Sequence, residues 1–116
     1  MMRYVVLRHE GVTDPHFDLM LEREEGGVLA TWRTPVWPLE NKTELTSLPD
    51  HRRDYLTYEG PLSAGRGHVS RAAQGTFEWV KQGLTICIVH FLEPSDEEWL
   101  IGGHRENGMI AVRVGD

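Results

Sequence analysis

The chain has 116 residues and a formal net charge of −6 at pH 7, so it is long enough for one domain with one hydrophobic core. The acidic balance argues against broad, sequence-independent binding to duplex nucleic acid, which needs a basic face, but it is compatible with a small site for one phosphate or one strand end. No apolar run is long enough to span a bilayer, the single Cys87 excludes an intrachain disulfide, and the start of the chain lacks a signal-peptide pattern. We therefore expect a cytoplasmic protein that does not bind a membrane.

The sequence predicts many short strands and little helix. We place strands at about 3–9, 16–22, 27–33, 43–48, 55–58, 67–72, 75–81, 84–92, 98–102 and 109–114. Turn signals such as Gly26-Gly27 separate them, and only residues 49–55 are compatible with a short turn or helix. Because closing a sheet removes its exposed edges, we predict a single domain over residues 1–116 that is a small, mainly antiparallel β-barrel with little helix.

The run 84–92 is nearly continuous in apolar and β-branched residues. It predicts a central strand covered on both faces. Within this strand we expect Cys87 to be a small core residue and His90 to be a buried, hydrogen-bonded histidine.

Three side chains near the start of the chain form a candidate metal site. His16 and Asp18 are two residues apart, so they project from the same face of a strand. His9 ends the preceding apolar run, and it lies beside the other two if the two strands pair. Two imidazole nitrogens and one carboxylate oxygen are a usual ligand set for a divalent transition metal, with positions left for water or substrate. Spacing alone leaves ordinary polar residues of a β domain as the alternative.

The segment 50–55 carries an imidazole, two guanidinium groups and a phenol. His51 beside a metal-bound phosphate can donate a proton or stabilise negative charge, and Tyr55 can orient it. The planar guanidinium of Arg52 matches the geometry of a phosphate. Spacing alone favours the plainer interpretation, a solvated charged turn.

Two further arginines are candidates for binding an anion. Arg66 lies in the glycine-flanked loop 60–67, which can present backbone N–H groups and a cation together, although it is not a P-loop. Arg33 faces away from its neighbour Trp32, which we expect in the core, and so can reach a pocket.

Several motifs occur in the order found in a known protein family. They are Arg8-His9-Glu10, His16-Phe17-Asp18-Leu19-Met20-Leu21-Glu22, Thr31-Trp32-Arg33-Thr34-Pro35, Asp50-His51-Arg52-Arg53-Asp54-Tyr55, Tyr58-Glu59-Gly60, Gly75-Thr76-Phe77 and Trp99-Leu100-Ile101. Nearly end to end, this order resembles the 3′-phosphoesterase domain of bacterial DNA ligase D and its stand-alone relatives. The combined order is specific, whereas no single motif is.

The resemblance implies a small β-barrel with a concave active-site face. It implies that His9, His16 and Asp18 bind a divalent metal, usually Mn²⁺, with Zn²⁺ or another transition metal as alternatives. It places His51 and Tyr55 on the phosphate side of the site. It also implies removal of 3′-ribonucleotides and 3′-phosphates from nucleic-acid ends in DNA repair, with a repair ligase or polymerase as a partner.

The chain departs from the family at the residues that hold the phosphate. Met20 stands where the family has an arginine, and Val36 stands where it has a lysine. Arg33, Arg52 and Arg66 are the cations that can replace them from other directions. The departures leave three alternatives open: a different substrate, a phosphate held differently, or weak or absent catalysis.

Two other functions remain open from the sequence. The first is a non-catalytic module on the same fold that recognises a DNA end or a repair protein. The second is a metal protein of the cupin or non-haem iron type, in which His16 and Asp18 are joined by His68, His90 or His104 instead of His9. That second function leaves the motifs from His51 to Gly60 unexplained.

Overall fold

The computed structural model describes residues 1–103 and 108–115 of the chain. Within these ranges the elements are β1 (Met2–Glu10), β2 (His16–Glu22), β3 (Leu29–Thr34), β4 (Thr43–His51), the 3₁₀ turn η1 (Arg53–Leu56), β5 (Gly60–Pro61), β6 (His68–Gln82), β7 (Ile86–Glu93), β8 (Glu97–Gly103) and β9 (Met109–Val114). Over the same residues, the chain has no helix with the length and apolar character needed to cross a membrane.

The strands form a closed antiparallel barrel, which confirms the predicted fold class. Neighbouring strands follow the order β1-β2-β3-β4-β9-β8-β7-β6, and β6 pairs back onto β1. The short β5 pairs with the start of β6. Closure pairs the outer strands with each other, so the long strands of the described chain present little free edge.

Alternate residues of the strands face a filled interior and an outer surface. Tyr4 and Val6 of β1 belong to the interior core, which draws buried apolar side chains from all eight strands of the barrel. Val5 and Leu7 belong to a second apolar cluster on the opposite face of the same strand. Because the interior is packed with side chains, a site for a ligand has to form on the outer face or at the barrel ends.

The second cluster is closed by residues 52–67, which we call the cover segment. Leu56 of the turn η1 is buried against Leu7 and Met20, and Leu62 packs against the same cluster. The cover segment therefore forms an outer layer over β1, β2 and β3, and the space between the two layers becomes a cavity.

An ion pair anchors the cover segment to the barrel. Glu22, at the end of β2, is buried and accepts hydrogen bonds from the Arg53 guanidinium and from the backbone N–H groups of Arg3 and Gly26. Burial alone would raise the pKa of Glu22, but the hydrogen bonds from Arg53, Arg3 and Gly26 outweigh it and lower that pKa. Glu22 is therefore a charged carboxylate that fixes the start of η1.

Two strand predictions were wrong in their local detail. Residues 55–58 are not a strand, because the chain turns through η1 to bury Leu56. The predicted strands 67–72 and 75–81 are one continuous strand, β6, with bulges. Gly75 lies inside it because a Cβ there would be 1.8 Å from the Glu93 carbonyl oxygen, so this glycine marks a close approach and not a turn.

The run 84–92 was predicted to be covered on both faces, and this is also wrong. In β7, Cys87, Val89 and Phe91 face the interior, whereas the alternate residues face outward and are partly exposed. Cys87 is a core residue, as expected, and burial raises the pKa of its thiol. His90 is on the outer face with 29 % of its side chain exposed, where it pairs with Asp96.

Candidate metal centre and anion cavity

Antiparallel pairing of β1 and β2 brings the three candidate metal ligands together. His9 and His16 are directly opposite each other, and Asp18 lies two residues further along the same face of β2. His9 Nδ1 is 3.2 Å from His16 Nε2 and 3.7 Å from Asp18 Oδ2, and His16 Nε2 is 3.4 Å from Asp18 Oδ1. One potential ligand atom from each side chain lies within 4.8 Å of the others.

Backbone carbonyl groups set the orientation of both imidazole rings. His9 Nε2 donates to the carbonyl oxygen of Arg66 at 2.7 Å, and His16 Nδ1 donates to that of Asp14 at 2.8 Å. Because a carbonyl oxygen only accepts, each of these ring nitrogens carries the proton. In the neutral rings, His9 Nδ1 and His16 Nε2 then present lone pairs, and these are the two nitrogens that face each other.

The cluster therefore gathers acceptors without a donor. Two lone-pair nitrogens and the Asp18 carboxylate converge, and Asp18 Oδ1 is buried without a hydrogen-bond partner. Mutual repulsion of the lone pairs and the unpaired carboxylate oxygen would both be relieved by a shared cation. The donor set, two imidazoles and one carboxylate, fits a divalent transition metal.

Arg33 supplies an unpaired donor next to this cluster. It lies directly opposite Asp18 on the neighbouring strand β3. Its Nε is buried and has no hydrogen-bond partner within the described residues. Both side chains line one cavity of about 460 Å³ between the barrel and the cover segment. The cavity thus contains two complementary features. One is a cluster of hydrogen-bond acceptors that lacks a cation, and the other is a guanidinium group that lacks an anion.

His51 and Tyr55 also line the cavity. The His51 ring packs edge-on against the Tyr55 ring, with 5.6 Å between the ring centroids. His51 Nδ1 is 2.9 Å from the carbonyl oxygen of Pro49 and donates to it. His51 Nε2, the other nitrogen, has no hydrogen-bond partner in the described part of the chain and is available to a ligand.

The two remaining predicted arginines are placed differently from each other. Arg66 lines the cavity, and its guanidinium donates to the carbonyl and hydroxyl oxygens of Ser63 at 3.0 and 2.9 Å. Arg52 does not line this cavity, because the chain turns into η1 immediately after it and directs it to an adjoining groove. Met20 lines the cavity as a buried apolar side chain, so the family's arginine position carries no cation here.

Two of the alternative third ligands, His68 and His90, do not join the cluster. His68 is half-exposed and lies 3.8 Å from Glu10. His90 is surrounded by carboxylates: Asp96 accepts a hydrogen bond from it, and this bond together with the charges of Asp96, Glu78 and Glu98 raises its pKa. His104 lies outside the described residues. Among the residues described, His9 is the histidine that completes the set with His16 and Asp18.

Sequence reasoning missed the groups that hold these side chains in place. The carbonyl groups of Asp14 and Arg66 orient the imidazoles, and backbone groups leave no signal in residue identity. Glu22 did have a signal in the sequence, because it follows Asp18 by four residues and so faces the same side of β2. The structure shows that this charged side chain is buried. Its pairing with Arg53 supports the segment that carries His51 and Tyr55.

The sequence matches no family model and no curated protein. The likeness to the 3′-phosphoesterase domain therefore rests on the motifs and their order in the chain. The geometry of the cavity adds an independent physical argument, because its unpaired groups indicate the charges of the ligands that would fit it.

Proposed function

We propose that this chain is a metal-dependent phosphoesterase that acts on the 3′ end of a nucleic acid, or on a related phosphate ester, in DNA repair. One observation carries the proposal: the buried Asp18 Oδ1 and the buried Arg33 Nε are both unpaired, and they line the same cavity on adjacent strands. A divalent metal and the phosphate bound to it would satisfy both groups at once.

His9, His16 and Asp18 would hold the metal through His9 Nδ1, His16 Nε2 and the Asp18 carboxylate. We propose Mn²⁺, with Zn²⁺ or another transition metal as alternatives, because the mixed nitrogen and oxygen set suits all of them. When bound, such a metal polarises a phosphoryl oxygen and neutralises negative charge that develops during attack by water. In the neutral rings, the hydrogen bonds of the two imidazoles to backbone carbonyls place the proton on the other ring nitrogen and aim the ligating nitrogen at the ion.

The remaining side chains of the cavity have distinct roles in this proposal. Arg33 donates to a phosphoryl oxygen and balances its charge. His51 exchanges a proton through Nε2, because Nδ1 is occupied by the Pro49 carbonyl. Tyr55 packs against the His51 ring and limits its rotation. A repair ligase or polymerase as partner, and the cytoplasm as the compartment, belong to the same proposal.

The test is release of phosphate from a 3′-phosphorylated oligonucleotide in the presence of manganese. We expect turnover by the wild type, and we expect His9→Ala to lower it by about 100-fold or more, because that change removes a metal ligand. His68→Ala is the matched control, since His68 is a half-exposed histidine that is not part of the cluster. Absence of metal-dependent phosphate release from every ester tried would overturn the proposal.

One observation favours a second candidate function, a binding module without catalysis. The buried thioether of Met20 occupies the cavity wall at the position where the related family carries an arginine. A site that lacks one cation can still bind a phosphorylated end through Arg33 and a metal. Tight binding of a 3′-phosphorylated end without turnover would support this candidate. Equal affinity for ends with and without the 3′-phosphate would contradict it.

A further inference from the structure

A second depression continues along the cover segment from the cavity lined by His9, His16 and Asp18, which we call the metal cavity. We call the second depression the strand groove; it has a volume of about 370 Å³ and is lined by Arg52, Asp54, Tyr55, Tyr58, Pro61, Leu62, Ser63 and Arg66. Tyr55, Leu62 and Arg66 line both depressions, so the two are continuous. A ligand with its reacting end in the metal cavity would extend into the strand groove.

The strand groove carries more positive than negative charge, although the whole chain is acidic. Arg52 makes no ion pair and no side-chain hydrogen bond within the described residues. Among the described residues, the Arg66 guanidinium donates only to the neutral oxygens of Ser63. Asp54 is the single acidic residue of the lining. Two guanidinium groups that form no ion pair with a carboxylate of the described residues offer a site for an anion, and their planar shape suits a phosphate.

Two aromatic rings line the strand groove together with these arginines. The rings of Tyr55 and Tyr58 are nearly perpendicular, at 88° and with 6.1 Å between centroids. The hydroxyl of Tyr58 donates to the Pro61 carbonyl, which fixes the direction of the ring, while 37 % of the residue is exposed. Gly60 makes room for this ring, because a Cβ at that position would be 3.2 Å from the Tyr58 hydroxyl. A fixed, exposed ring beside arginines is a stacking platform of the kind that binds single-stranded nucleic acid.

We infer that the strand groove binds the nucleotide that adjoins the reacting end. Its phosphodiester lies between Arg52 and Arg66, and its base stacks on Tyr58. The substrate class is accordingly a single-stranded end of at least two nucleotides, not a mononucleotide or another small phosphate ester. This inference rests on the proposed function, since that function places the reacting end in the metal cavity.

Binding measurements test the inference without requiring turnover. The ligands are thymidine and thymidine dinucleotide, each with a 3′-phosphonate that has no ester bond to hydrolyse, titrated into the manganese-loaded protein by calorimetry. We expect the dinucleotide to bind about tenfold more tightly than the mononucleotide, as one stacked base and one extra phosphate contribute. Arg52→Gln and Tyr58→Leu should each reduce this ratio by at least half. Lys81→Gln, which removes an exposed cation outside the groove, should leave it unchanged.

Three results would overturn the inference. The first is equal affinity for the two ligands, and the second is a ratio that survives both groove substitutions. The third is equal binding of a phosphotyrosine peptide, because such a peptide also offers an anion and a ring. These outcomes leave the proposed phosphoesterase intact, which fails separately if no ester is hydrolysed with metal present.

Discussion

His9 Nδ1 lies 3.2 Å from His16 Nε2, although the other nitrogen of each ring already donates to a backbone carbonyl. Two neutral imidazoles in this arrangement point lone pairs at each other, and the Asp18 carboxylate adds negative charge at the same point. Such a cluster is stable when a cation sits between its members.

Manganese should bind to the wild-type chain and stabilise its folded state. At a free metal concentration of 100 times Kd, a ligand specific for the folded state adds about 2.7 kcal/mol to the free energy of unfolding. Asp18→Asn and His16→Ala should abolish most of that gain in thermal unfolding, whereas His68→Ala should retain it. An equal gain in all of these variants would contradict a metal site at the cluster.

Arg33→Gln should weaken the binding of phosphate esters. Loss of a hydrogen bond to a charged group costs about 1.5–3 kcal/mol, which corresponds to a rise in KM of about 10- to 150-fold. Steady-state kinetics on a 3′-phosphorylated oligonucleotide measures this rise. Arg8→Gln is the matched control, because Arg8 is an exposed arginine that packs on Phe17 and does not line the cavity. An unchanged KM in Arg33→Gln would remove this residue from phosphate binding.

Glu22→Gln should lower the free energy of unfolding at neutral pH. The variant should also lose less of that free energy than the wild type as the pH falls. Hydrogen bonds from Arg53, Arg3 and Gly26 lower the pKa of Glu22 in the folded state, so its stabilising contribution is present above the unfolded pKa and is lost as the pH falls through the folded pKa. Because Arg53 is 40 % exposed, we expect a modest loss of about 1–2 kcal/mol. Urea unfolding at pH 7 and pH 3 measures the effect. Glu44→Gln, at an exposed position, should change neither value.

Gly75→Ala should destabilise the barrel strongly. The new Cβ would lie 1.8 Å from the Glu93 carbonyl oxygen and 2.9 Å from the Tyr4 ring, so β6 and β7 would have to separate locally. Overpacking of this kind costs about 1–3 kcal/mol or more. Gly103→Ala is the matched control, because its nearest neighbour is 3.9 Å away. Equal denaturation midpoints for the two variants would contradict this prediction.

The barrel was predictable because strand alternation and glycine-rich turns are local signals. The spacing of His16 and Asp18 predicted that the two side chains share one face of a strand. His9 lies beside them because β1 pairs with β2. The cover segment was not predictable in the same way. Its position depends on the packing of Leu56 onto Leu7, which are far apart in the sequence.

The arginines show why sequence proximity did not predict the site in full. Arg52 and His51 are adjacent in the chain, yet the turn η1 sends Arg52 to the strand groove while His51 faces the metal cavity. Arg33 and Asp18 are fifteen positions apart, yet β2 and β3 set them side by side. Side-chain direction at a turn depends on backbone dihedral angles that residue type alone does not determine.

The hydrogen bond from His9 to the Arg66 carbonyl spans 57 positions of sequence and joins a candidate metal ligand to the wall of the strand groove. Through this bond, an ion that orders the His9 ring would also order residue 66. A nucleic-acid strand bound at residue 66 would likewise restrict the motion of the His9 ring. Linkage between two such sites is reciprocal. If the proposed function holds, manganese and a nucleic-acid end should therefore each tighten the binding of the other.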